Sequence, residues 1–321
     1  YDYFHNYEFV APYIQHADVA VTNLEVTLAG PPYKGYPQFS SPDQLAVALH
    51  KAGFDLIIKA NNHALDRGKN GLNRTYKVLD SMSFMQAGTY PSAKERVLEH
   101  PLIFEKNGIK IALLNYTYGT NGIKATGGVV VNMIEQEMIR EELAVARQHE
   151  PDFIIATMHW GNEYERQENA SQQELAKMLF ENGVDLIVGS HPHVVQPIKK
   201  YDDDKLVAYS LGNYISNQRK QYTDGGIMLE VTIEKDSTGT ELEDYKYLAT
   251  WVYKNYQDGK VTFHILPPSL YPVLKDDLPI SASEKAKMEQ FYRDTQEHLK
   301  GIDESDFYQN KNLRAVKDDP N

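Results

Sequence analysis

Asp185-Leu186-Ile187-Val188-Gly189-Ser190-His191-Pro192-His193-Val194-Val195 is the stretch that decides the fold. An apolar run ends in two small residues and then presents two histidines two positions apart. In an extended segment, residues i and i+2 point to the same side, so both imidazoles are expected to face one ion or ion pair. Pro192 stiffens the turn between them and removes a competing N–H. The same construction occurs twice upstream. Asp152-Phe153-Ile154-Ile155-Ala156-Thr157-Met158 runs into His159-Trp160-Gly161, and Asp55-Leu56-Ile57-Ile58-Lys59-Ala60 runs into Asn61-Asn62-His63. Three buried-strand patterns that each release His or Asn at the carboxyl end predict a metal site at the edge of a sheet.

Working outward, the 321 residues suffice for one large α/β domain, or one with an extension. About two-fifths of the chain is apolar, which is a globular composition. The net charge is −12 with no Lys/Arg-rich run, which argues against a nucleic-acid partner. With no cysteine, thiolate zinc sites, disulfides and cysteine nucleophiles are excluded. No apolar run is long enough to span a membrane. The chain opens on Tyr1, so an N-terminal segment, a signal peptide or anchor among the options, is expected upstream.

Strand-like runs at 18–24, 55–59, 109–116, 152–158, 185–189, 206–211 and 226–233 alternate, up to about residue 235, with helix-like segments at 41–52, 71–82, 135–149 and 171–182. That alternation predicts an α/β fold with a mainly buried sheet. Ser171 with Glu174 reads as a capping box, and Ser41-Pro42 as an N-cap followed by proline at the first helical position. Beyond residue 205 consecutive strands take over, with 245–253 and 260–266 joined by the turn Gln257-Asp258-Gly259. A polar helix from about Ser283 and a charged surface tail close the chain. The main domain is thus expected over 1–270, with a C-terminal helical extension over 271–321.

Zinc, manganese and iron accept imidazole, carboxylate and amide-oxygen ligands. The candidates at strand ends are Glu25, Asn62, His159, His191 and His193. Each alone has a plain alternative, since a lone histidine is commonly a surface or satisfied core residue and Asn61-Asn62 suits a turn. Five together after comparable strands point to a metal centre. Glu163 is near enough in sequence to contact substrate or the centre, or to be solvated. Trp160 and Tyr164 are read as pocket walls, and Ser210 and Asn213 as rim residues. Ser210 lacks the Gly-x-Ser-x-Gly elbow of a serine nucleophile.

Five motifs in order carry a resemblance: Thr22-Asn23-Leu24-Glu25, Ala60-Asn61-Asn62-His63-Ala64-Leu65-Asp66-Arg67-Gly68, His159-Trp160-Gly161-Asn162-Glu163-Tyr164, Gly189-Ser190-His191-Pro192-His193 and Tyr209-Ser210-Leu211-Gly212-Asn213-Tyr214. Over roughly residues 1–235 the chain resembles the CapA family, poly-γ-glutamate capsule biosynthesis proteins with a calcineurin-like metallophosphoesterase fold. The resemblance implies a four-layer αββα sandwich with two divalent metal ions, Mn, Fe or Zn. Glu25 then matches the bridging carboxylate, Asn62 the amide ligand, and His159, His191 and His193 the imidazole ligands. His63 matches the histidine that contacts the scissile group, and Asp66 would either orient His63 or serve as a turn or N-cap residue.

The family's opening Gly-Asp motif would lie before Tyr1, and Glu25 stands where such enzymes commonly carry aspartate. Without the upstream aspartate, one metal keeps Glu25, Asn62, His159 and His191, and the other keeps little beyond Glu25 and His193. The implied function is a metal-dependent, phosphoesterase-like hydrolase of capsule biosynthesis. The alternatives are a non-catalytic component that binds or guides the polymer, and a metal that only stabilises the fold. The implied partners are an anionic capsule polymer or phosphorylated precursor and other capsule-assembly proteins. The implied location is extracytoplasmic, at the cell surface, with membrane attachment only through an upstream anchor.

Overall fold

The structure, a computed structural model, describes residues 2–202, 204–257, 259–274, 278 and 280–310. Strands β1 (Val21–Asn23), β2 (Leu56–Ile58) and β3 (Met85–Ala87) form a small parallel sheet in that order. Strands β4 (Thr89–Tyr90) and β7 (Val130–Val131) pair antiparallel beside it. The largest sheet has the order β10 (Ile198–Asp202), β11 (Lys205–Ala208), β9 (Leu186–Ser190), β8 (Phe153–His159), β6 (Ile109–Thr117), β5 (Leu102–Lys106). Its four central strands are parallel and its two edge strands antiparallel. An antiparallel meander of β12 (Gly225–Lys235), β13 (Thr240–Gln257) and β14 (Lys260–Leu266) makes the third multistranded sheet.

The period of two along each central strand sets the layers. On one face of the six-stranded sheet, Ala112, Leu114, Ile154, Ala156, Ile187 and Val207 pack on α5 (Gln136–Gln148) and α6 (Ala170–Glu181) through Ile139, Leu143, Leu175 and Leu179. The alternate residues face the other sheets. Ile111, Phe153, Leu186 and Leu206 meet Ile227, Tyr247 and Ala249 of the meander, and Leu113 meets Leu56, Ile58 and Ala87. Outside the small sheet, Ile57 packs with Leu49 of α2 (Gln44–Ala52) and Leu79 of α3 (Gly68–Asp80). The result is helix, sheet, sheet, helix.

Short helices α1 (Ala11–Ile14), α4 (Ala93–Glu99), α7 (Tyr271–Leu274) and α9 (Phe307–Asn310) fill the edges around the long α8 (Ala282–His298). In α8, Met288 and Phe291 share a cluster with Leu248 and Trp251 of β13 and Leu266 of β14. The segment read as an extension therefore contributes apolar side chains to the meander's outer face. The charged tail at 311–321 and Asp258 of the predicted turn lie outside the described residues.

Two predicted helix starts are corrected. The capping box exists two residues earlier than expected: Asn169 accepts from the Gln172 backbone while the Gln172 side chain accepts from Asn169. Near Ser41-Pro42 the helix begins only at Gln44, and its N-cap, Asp43, makes no side-chain cap bond. Asp43 is instead drawn into a two-point ion pair with Arg74 at 2.6 and 2.8 Å. A charged guanidinium is a stronger partner than a neutral amide.

Candidate active site

The carboxyl ends of β1, β2, β8 and β9 deliver Glu25, the Asn61–His63 turn, His159 and His191 to one edge of the sandwich. His159 is the final residue of β8, and its ring is 1% exposed. Its Nε2 lies 3.0 Å from Asn62 Oδ1 and 3.8 Å from Glu25 Oε1, while Nδ1 meets Ser190 Oγ at 2.9 Å. The rings of His159 and His191 are centred 4.9 Å apart, and those of His191 and His193 6.1 Å apart. His193 Nδ1 meets Asn213 Oδ1 at 2.9 Å. In this way Ser190 and Asn213 each fix Nδ1 of one ring, which turns Nε2 of His159 toward Asn62 and Glu25.

His191 and His193 reach the site by a route the sequence did not predict. Strand β9 ends at Ser190, and the two histidines have φ of 102° and 62°. They occupy a tight turn with left-handed residues and not an extended segment, so the two-residue alternation does not apply to them. Positive φ is costly for a side-chain-bearing residue and gathers at functional sites. Gly189 just before makes the approach feasible, because a Cβ there would stand 1.9 Å from the Tyr209 carbonyl oxygen.

Burial, reinforced by the neighbouring histidines, holds His159 well below the usual imidazole range. Burial and then His193 hold His191 down to about 4, against the opposing field of Glu163. Both are therefore neutral near pH 7, the form in which imidazole donates a lone pair. Burial raises the Glu25 carboxyl, an effect His193 and His63 oppose.

His63 lies at the same edge. Its Nδ1 meets Asp66 Oδ2 at 2.8 Å, and that oxygen also accepts from the Phe39 backbone at 2.8 Å. Asp66 is thus the orienting partner of His63; the cap position before α3 belongs to Arg67. The Asn61 amide ties the turn down, accepting from His63 N–H and donating to Asn23 Oδ1 and Leu24 O. Phe39 packs edge-on against the His63 ring at 4.7 Å.

Other expected site residues lie differently. Trp160 is a core residue and not a pocket wall: it is 3% exposed, stacks on Tyr209 and donates to the Tyr209 carbonyl at 2.9 Å. The glycine at 189 opens the space for that contact. Asn213 spends both amide ends on protein, on His193 and on the Thr223 carbonyl, so it positions a histidine. Ser210 is buried and donates to the Val194 carbonyl. Glu163 is exposed at the rim, where its charge acts on Glu25 and His191. Tyr164 is exposed and stacks beside His193 at 5.9 Å.

Sequence reading missed Tyr118, which lies 4.5 Å from the His191 ring and stacks parallel to His159 at 6.2 Å. It also missed Asn121, which accepts from the Asn62 amide. Asn115 supports the Asn61–His63 turn from below, its Oδ1 accepting from the backbones of Lys59 and Ala60. A polar residue inside the apolar run of β6 was the available signal for Asn115.

Among the described residues, no three His, Asp or Glu side chains stand together at metal-binding spacing. The donor set nonetheless fits a divalent ion in its chemistry. Neutral imidazoles, an amide oxygen and a carboxylate lie along one edge, and the buried His191 Nδ1 has no hydrogen-bond partner.

The layers define a four-layer αββα sandwich with the candidate site at one edge. The NAD nucleotidase NadN of Haemophilus influenzae superimposes with a TM-score of 0.52, covering 92% of this chain and 60% of its own at 15% identity. The chain belongs to the bacterial capsule synthesis protein PGA_cap family, whose profile matches residues 1–218. It is 28% identical over 245 residues to PGA biosynthesis protein CapA of Bacillus subtilis (strain 168), covering 73% of this chain and 62% of that protein. It is 25% identical over 245 residues to capsule biosynthesis protein CapA of Bacillus anthracis, covering 72% of this chain and 58% of that protein. The chain thus spans about three-fifths of the length of these relatives.

Proposed function

We propose that this chain acts in capsule biosynthesis, at the cell surface, as a metal-dependent hydrolase of a phosphoester or of a bond in an anionic capsule polymer. The observation that carries the reading is the His63–Asp66 pair beside the ligand-type cluster. Neither residue is among the candidate metal ligands, and a histidine held by a carboxylate at the edge of the site is placed to move a proton during bond cleavage. The relatives' names support the capsule setting.

Glu25, Asn62, His159, His191 and His193 would hold the metal. When bound, it supplies Lewis-acid charge for the reacting oxygens and lowers the pKa of water. Asp66 fixes the His63 ring through Nδ1, leaving Nε2 to give a proton to the departing oxygen and recover one afterwards. Phe39 limits rotation of that ring. Tyr118, half exposed over two histidines, screens them from bulk water.

The test is hydrolysis of bis(p-nitrophenyl) phosphate by the Mn2+-loaded protein. Wild type should turn over, and His63→Ala should lose on the order of 10²–10⁴ in kcat with metal content unchanged. A metal-loaded wild type that cleaves nothing would overturn the hydrolase. It would leave the second reading, a surface component that binds or guides the polymer without cutting it, which Lys220 favours, its Nζ 3.9 Å from the ring of Tyr164 that stacks beside His193.

A further inference from the structure

A line of cations laid on aromatic rings leads away from the centre on its His193 side. Tyr164 stacks beside His193, and Lys220 Nζ stands 3.9 Å from the Tyr164 ring centre. The adjacent Arg219 lies 5.7 Å from the Phe263 ring. Lys254 stands 5.7 Å from the same ring and 5.1 Å from Tyr256. The segment joining these points is tied at both ends: Asn213 to His193 at 2.9 Å, and Asn217 Oδ1 to Lys254 Nζ at 3.0 Å. Residues 213–220 thus bridge the centre to the β13–β14 hairpin.

Among the described residues, none of Arg219, Lys220 and Lys254 forms an ion pair. Asp224 and Glu284 act on Arg219 only through their field, and Asp224 Oδ2 is taken by Trp251 Nε1 at 3.0 Å. Glu163 is the acidic group at the inner end, beside Tyr164. In a chain of net charge −12, carboxylates are plentiful, yet these three neighbouring cations are left unmatched. Such a local positive strip on an acidic protein attracts and orients anions.

We propose that Tyr164, Lys220, Arg219, Phe263, Lys254 and Tyr256 form a track that seats an extended chain bearing repeated carboxylates and leads it to the centre. The ring faces hold the cations at fixed places, which lowers the ordering cost of binding. Arg219 adds a planar fork suited to carboxylate. Those same ring faces are already covered by ammonium and guanidinium groups, so they are not free to stack bases. That favours a polycarboxylate over a single-stranded nucleic acid, which relies on open aromatic platforms. The track depends on the hydrolase reading only for what happens at its inner end.

The experiment is fluorescence anisotropy with labelled oligo-γ-glutamate, and with oligothymidylate of equal charge, on the full chain with and without Mn2+. Wild type should bind the oligoglutamate. The combined variant Arg219→Ala, Lys220→Ala, Lys254→Ala should bind on the order of tenfold or more weakly, with a shallower salt dependence. Its melting temperature should stay close to that of wild type, since Arg219 and Lys220 are exposed and half-buried Lys254 gives up one hydrogen bond, to Asn217. Lys254→Ala alone should weaken oligoglutamate binding and leave kcat on bis(p-nitrophenyl) phosphate unchanged. Equal binding by wild type and the combined variant, no binding by wild type, or equally tight oligothymidylate binding would each overturn the track. Binding that the variant loses, in a protein that cleaves nothing, would retain the track and remove only the hydrolase.

Discussion

Lys59, one residue past β2, keeps its ammonium inside the protein. It is 3% exposed, donating to Gln86 Oε1 at 2.7 Å and to the Thr89 carbonyl at 3.3 Å, with the Tyr76 ring 4.9 Å away. Burial pushes its pKa down to about 7. The free side chain titrates near ~10.4. Between these values the unfolded chain holds a proton that the folded chain lacks, so stability rises with pH across that window. Below pH 7 the penalty is complete. Urea midpoints at pH 7 and pH 9.5 should show wild type gaining more on the rise than Lys59→Met; identical gains would contradict the assignment. His63 and Asp66 make a second prediction at this scale. Asp66→Asn should lower kcat on bis(p-nitrophenyl) phosphate more than it changes KM, because it acts through the orientation of His63. A change confined to KM would contradict that role. The histidines and Asn62 were legible in the sequence because each follows an apolar run. Tyr118 and Lys59 were not, since their surroundings come from distant segments.

At the scale of elements, the strand-to-turn junction after β9 concentrates the most constraint. Gly189 leaves room for the Tyr209 carbonyl, into which a Cβ would intrude at 1.9 Å, and for Trp160 Nε1 at 2.5 Å. Gly189→Ala should therefore separate β9 from the segment after β11 and cost about 3 kcal/mol, at the upper end of overpacking penalties. Gly35→Ala, with nothing within 4 Å of its Cβ, is the neutral control. Thermal unfolding of both variants checks this, and equal melting temperatures would refute it. The strands here were readable from their apolar runs, but the turn was not: nothing local announces positive φ at His191 and His193. The helix starts failed for a related reason. Asp43 serves Arg74, 31 residues away, in preference to its own helix.

For the whole molecule, the two faces of the six-stranded sheet build a layered sandwich with the candidate site at one edge. The α/β alternation and the switch to consecutive strands after residue 205 were visible in the sequence. The six-stranded order with two antiparallel edges, and the docking of α8 on the meander, required the tertiary structure. Among the described residues, no helix is long and apolar enough to cross a membrane. The central claim is that this edge is a metal centre, and metal content per chain tests it most directly. After equilibrium dialysis against Mn2+, mass spectrometry should find at least one bound ion per wild-type chain, lost in a folded His191→Ala. Wild type without bound metal, or a variant that retains it in full, would contradict the account.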